Sequence, residues 1–155
     1  MPNPHLLRAR TAAGFSLIEL LIAMVIAGTL AFIAVPSFMD SIRKGRRSEG
    51  IAALAQLQQA QERFRANSPS YASDLSTLPG GPAATTTNGY YAITLTNVGP
   101  SKYTAIATAG SGTSQAKDAS CRTLVVTVDQ GNVINSSTNS AGTTDSTNAN
   151  RCWPK

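Results

Sequence analysis

One run of twenty-one residues, Phe15–Val35 (FSLIELLIAMVIAGTLAFIAV), limits what this chain can become more than any other feature. At about 1.5 Å per residue it spans about 31 Å as a helix, matching a bilayer core of about 30 Å. Only Ser16, Glu19 and Thr29 interrupt its apolarity. The run predicts a membrane-spanning helix. It lacks the small-residue cleavage pattern that comes after the apolar core of an ordinary signal peptide.

Glu19 is out of place in a plain anchor. An ionised carboxylate in an apolar helix costs on the order of 2.5–3.5 kcal/mol on insertion scales, so a function and a partner are expected for it. Gly14 stands immediately before the run. Cutting between Gly14 and Phe15 creates an α-amine four residues ahead of Glu19, and such an amine, with an ordinary pKa of about 8, is protonated at neutral pH. Amine and carboxylate then neutralise each other in apolar surroundings.

These residues carry a family resemblance. Gly14-Phe15-Ser16-Leu17-Ile18-Glu19 resembles the prepilin cleavage and methylation motif of type IV pilins and of type II secretion pseudopilins. The similarity continues through the helix, with Gly28 and Pro36 where that family places a glycine and a proline. The resemblance implies that a membrane prepilin peptidase/methyltransferase removes residues 1–14 and methylates the amine of Phe15. Residues 15–36 are then the transmembrane and assembly segment, and Glu19 is the assembly carboxylate. It also implies that the stretch from Gly28 to Pro36 loosens in a filament; Pro36, without an amide hydrogen, is expected at least to kink the helix. The implied partners are other pilin subunits, major and minor, the inner-membrane assembly machinery, and membrane lipid before assembly. The implied location is a single inner-membrane pass, amino end inside and carboxyl end in the periplasm, then an extracellular filament.

Charge complicates that orientation. The leader carries Arg8 and Arg10, but Arg43, Lys44, Arg46 and Arg47 lie just beyond the other end of the apolar run. The positive-inside rule alone puts the carboxyl side in the cytoplasm. The family's insertion mode and a paired-cysteine domain, which belongs in an oxidising compartment, argue the opposite.

Composition narrows the chemistry. The chain carries +5 formally; without Arg8 and Arg10, eleven basic residues face eight acidic ones, or +3, mild for a bulk nucleic-acid binder. The one histidine, His5, is in the leader, so the processed chain has neither a histidine-based nucleophile pair nor a histidine zinc ligand. Cys121 and Cys152 are too far apart for a redox CxxC and too few for structural zinc. No phosphate-cradling loop or metal constellation is present. The sequence therefore predicts no enzyme, cofactor or metal.

Beyond Pro36 the apolar pattern becomes amphipathic. Ala53, Leu54, Leu57, Ala60 and Phe64 recur at helical spacing, predicting that the helix continues over 37–66 with one face packed on a downstream sheet. Asn67-Ser68-Pro69-Ser70 ends it, and Pro79-Gly80-Gly81-Pro82 marks 67–89 as a connecting loop. Within 90–155, Tyr90–Thr96, Lys102–Thr108 and Arg122–Val128 alternate as strands, and Asp129-Gln130-Gly131-Asn132 signals a turn into a short fourth. The Ser/Thr/Asn stretch Asn135–Asn150 is expected to be loop. The expected class is α+β: a long amino-terminal helix on an antiparallel sheet of three or four strands. Cys121 and Cys152 resemble the cysteines of the carboxyl-terminal disulfide loop of type IV pilins; closing such a loop stabilises by roughly 3–4 kcal/mol on the chain-entropy model. Cys152-Trp153, and Gln61-Glu62-Arg63-Phe64 with Tyr71 shortly after, resemble the PilE-like minor pilins.

The leading functional expectation is a structural subunit, a minor one, of a type IV pilus serving motility, adhesion or DNA uptake. A secretion pseudopilin is the first alternative, and the resemblance implies a calcium site there in place of the disulfide. Asp118, Asp129 and Asp145 are scattered and the cysteines are present, which favours the pilus. A DNA receptor is the other alternative, with Arg43, Lys44, Arg46 and Arg47 as anion contacts and Lys102, Lys117, Arg122, Arg151 and Lys155 extending the basic surface. The plainer view of that cluster is a solvated helix face or a contact with anionic headgroups.

Overall fold

The computed structural model describes residues 14–147 and 150–154. His5, Arg8, Arg10 and Lys155 lie outside the described residues. One helix, α1, runs Leu17–Arg65. The antiparallel strands after it are β1 (Tyr91–Thr96), β2 (Lys102–Ala109), β3 (Thr123–Asp129), β4 (Asn132–Thr138) and β5 (Thr144–Asp145). They pair in sequence order as one five-stranded meander.

By its internal packing the chain divides between Phe38 and Met39. In the first unit every described residue, from Gly14 to Phe38, is exposed. This part of α1 is long and apolar enough to cross a membrane. The helix is continuous through Gly28 and Pro36, although Pro36 can donate no hydrogen bond to the preceding turn.

The second unit holds the core. On α1, Gly50, Ala53, Leu54, Leu57, Ala60 and Gln61 are buried at the three- and four-residue steps of one helix face. Phe64 continues that face and packs against the core while half-exposed. Opposite lie Tyr91 and Ile93 of β1, Tyr103, Ala105, Ala107 and Ala109 of β2, and Leu124, Val126 and Val128 of β3. The register places Ala107 between Ile93 and Leu124, so small residues on the middle strand leave room for larger neighbours. Gly50 shows how close the helix comes: a Cβ there would stand 3.1 Å from the Tyr91 ring and 3.3 Å from Leu124. Glycine to alanine in a helix ordinarily gains about 1 kcal/mol. Here the ring is fully buried and cannot yield, so Gly50→Ala is expected to lower the urea midpoint, by about 1–2 kcal/mol in stability, rather than raise it.

The polar stretch after Ile134 departs from expectation. β4 continues to Thr138, and Ser137 and Thr138 then pair with β5. The cause is the two-residue turn Gln130–Gly131, whose φ values of 50° and 84° are those of a tight hairpin. Once Asp129 faces Asn132, each later residue of β4 is delivered to the β3 ladder in register. A ladder needs backbone groups, not apolar side chains, so serines and threonines suffice.

Candidate functional site

Helical steps of three and four residues share a face, so Arg43, Arg46 and Arg47 point toward the side of α1 that meets the sheet, while Lys44 points about 100° away from Arg43. Arg47 turns inward and is only 8% exposed. It meets Asp118 through two bonds, Nε to Oδ2 at 2.6 Å and Nη2 to Oδ1 at 2.8 Å. The same carboxylate accepts from Gln115 Nε2 at 3.1 Å and from the Cys121 amide at 3.1 Å. Gln115 Nε2 also donates to the Tyr91 hydroxyl oxygen at 2.9 Å and to the Arg43 carbonyl at 3.2 Å. Burial pushes the Tyr91 hydroxyl up to about 12, reinforced by the Asp118 charge against the opposing Gln115 bond, so it stays neutral. This buried polar seam ties α1 to the β2–β3 connection.

The connection ends at Cys121, which is disulfide-bonded to Cys152. Around the bond the carboxyl-terminal segment is fixed by hydrogen bonds. Buried Asn150 accepts from the Cys152 amide at 2.9 Å and from Ser137 Oγ at 3.1 Å, and donates to the Asp145 carbonyl at 2.7 Å. The Trp153 indole N–H donates to the Ser136 carbonyl at 3.0 Å.

The remaining cations have different environments. Arg43 pairs with Asp40 at 2.6 Å. Arg46 lies over the Tyr90 ring, 4.4 Å from its centre, and donates to Ser114 Oγ. Lys44 is exposed, with no hydrogen bond or ion pair to any described residue. Lys117 and Arg122 lie on the β2–β3 connection and Arg151 next to the disulfide, so these cations gather near Lys44 and Arg46 at one end of the sheet. Lys102 does not join them. It opens β2 and faces Asp129, seven residues or about 23 Å along the strand from the other end.

Arg47 is therefore no surface contact, and Asp118, unremarkable in the sequence, is its counterion. Gln61 is a second buried polar residue, accepting the Ala72 amide at 2.9 Å and donating to the Ala72 carbonyl at 2.8 Å, as a paired strand would. Its spacing from Leu57 already places it on the apolar helix face, a signal that periodicity offers. Beside it, Tyr71 donates to Glu62 at 3.2 Å and sits edge-on to Tyr103.

At the amino end, Gly14 and Phe15 precede the helix, Phe15 is 82% exposed, and Glu19 occupies the first turn. Glu19 has no hydrogen bond or ion pair to any described residue of its own chain. Among the described residues no group of carboxylates, cysteines and histidines is arranged to hold a metal ion.

Two family models match. Residues 9–35 match the prokaryotic N-terminal methylation motif. Residues 36–125, more than half of the chain, match the type IV minor pilin ComP, described as a DNA uptake sequence receptor. No curated protein matches the chain significantly. The two matches meet at Pro36, one on the apolar half of α1 and the other on the amphipathic half and the sheet. The chain belongs to the ComP family of type IV minor pilins.

Proposed function

We propose that this minor pilin captures DNA at the pilus surface. Pilin families are structural rather than enzymatic, and their members assemble with other pilins after prepilin processing. The apolar helix and prepilin motif indicate a membrane anchor that later enters the pilus. In finer detail, we propose that the leader is cut after Gly14, that Phe15 is methylated, and that Glu19 pairs with the Phe15 amine of its own or a neighbouring chain. The carboxyl-terminal unit stands on the periplasmic side before extraction, and the Gly28–Pro36 stretch loosens within the filament.

The observation that carries the DNA reading is the match of residues 36–125 to the ComP receptor, together with unpaired cations, within and just beyond that match, that collect at one end of the sheet. Lys44, Lys117, Arg122 and Arg151 form no ion pair with any described residue, while Asp118 beneath them is neutralised by Arg47. Net positive charge therefore reaches the surface there. The pseudopilin alternative loses ground because a disulfide stands where that class is expected to carry calcium.

The test is binding of labelled duplex DNA to the detergent-solubilised chain across a salt series. About four phosphate contacts would weaken binding roughly a hundredfold between 50 and 200 mM salt. No binding at 50 mM would remove DNA capture and leave a minor pilin of another use.

A further inference from the structure

We infer that the groove between α1 and the disulfide-pinned carboxyl-terminal tail is a contact for duplex DNA, in which Lys44 and Arg151 hold phosphates and Trp153 packs on a deoxyribose. This site rests on the proposed DNA capture and specifies where on the domain the strand lies. Arg151 and Trp153 fall outside residues 36–125, so the family match does not supply it.

The groove encloses about 450 Å³. One wall is helical, with Lys44, Ser48, Ile51, Ala52 and Ala55; the other is the tail from Arg151 to Pro154. Three features point to a polyanion with apolar components. Lys44 and Arg151 are both exposed cations, and neither pairs with a described carboxylate. The third cation of the lining, Arg47, is held below by Asp118 and keeps that carboxylate from opposing an anion.

The indole supplies the apolar component. Its N–H is occupied by Ser136, so it offers a groove its ring rather than a donor. Trp153 also borders a second groove, of about 610 Å³, alongside Val133 and Ile134. Contacts to deoxyribose and to phosphate carry no sequence information. The groove therefore contributes affinity and register, not sequence choice. The Cys121–Cys152 bond acts as a positioning device, because it holds Arg151 and Trp153 against the helix that carries Lys44.

Trp153 is the only tryptophan in the chain, so its fluorescence reports on this groove directly. The experiment titrates the full chain in neutral detergent with labelled duplex DNA, tracking anisotropy and tryptophan emission. Saturating DNA is expected to quench the emission. Lys44→Gln and Arg151→Gln, both at exposed positions, are each expected to weaken binding three- to tenfold and to reduce the salt slope by about 1. Lys102→Gln, at the far end of the sheet, is expected to change neither. If the wild type binds DNA but the Lys44 and Arg151 variants keep its affinity and slope, the groove is not the contact and DNA capture stands. If the wild type binds no DNA, capture itself fails. A response of Trp153 to phosphatidylglycerol vesicles but not to DNA overturns the inference in favour of a lipid surface.

Discussion

Asp118→Ala is expected to destabilise the carboxyl-terminal unit by about 3–5 kcal/mol, the cost of leaving one member of a buried ion pair without its partner. Such a loss is a large share of the roughly 5–15 kcal/mol that holds a typical domain together. The side chains of Arg47 and Asp118 are 10% and 3% exposed, so water cannot replace the missing carboxylate. Three further donors lose their acceptor or part of it: the second guanidinium nitrogen, the Gln115 amide and the Cys121 amide. The Cys121 amide adjoins the disulfide, so the effect should extend to the tail and be visible in Trp153 emission during urea unfolding. Asp118→Asn, which keeps an acceptor but loses the charge, should fall between alanine and wild type. The pair Arg47→Met with Asp118→Leu should recover much of the loss, because apolar groups of similar volume need no counterion. A midpoint for Asp118→Ala within about 1 kcal/mol of wild type, at unchanged slope, would show that the seam contributes little.

The same seam marks where the sequence stops being legible. The membrane-length helix, its amphipathic continuation and strands β1 to β3 are readable from periodicity, because each buries a repeated apolar pattern. β4 beyond Ile134 is not, since its serines and threonines are held by register rather than by burial. Arg43, Lys44, Arg46 and Arg47 look like one basic cluster in sequence, yet helical geometry sends Arg47 inward and leaves Lys44 outside. Nothing local distinguishes Asp118 from Asp129 or Asp145; its role appears only when a residue 71 positions away is brought beside it. The same holds for the groove, which needs Lys44 and Arg151 to meet across the fold. Local pattern therefore reveals the elements, whereas pairing across the fold decides which charges remain available to a ligand.

Glu19→Ala is expected to have the largest effect on function, a loss of at least tenfold in the amount of this chain recovered in sheared filaments. Within lipid the substitution is favourable. Removing a carboxylate from an apolar helix relieves about 2.5–3.5 kcal/mol on insertion scales, so the variant should enter the membrane as well as wild type or better. The leader should still be cut, because the proposed cleavage point, Gly14 to Phe15, is unchanged. Mass spectrometry of the processed chain should therefore begin at a methylated Phe15 in both proteins. The defect arises on leaving lipid, when apolar helices bundle and each protonated amine must find an anion in surroundings that do not solvate it. Glu19 is the only acidic residue between Phe15 and Met39, so no other carboxylate on the spanning helix can substitute. Glu19→Gln keeps the shape and a hydrogen-bond acceptor but not the charge, and should fail nearly as badly if charge neutralisation sets the register. Incorporation of Glu19→Ala within twofold of wild type would show that assembly does not depend on this carboxylate. A wild-type chain that keeps residues 1–14 would instead remove the amine on which the pairing depends.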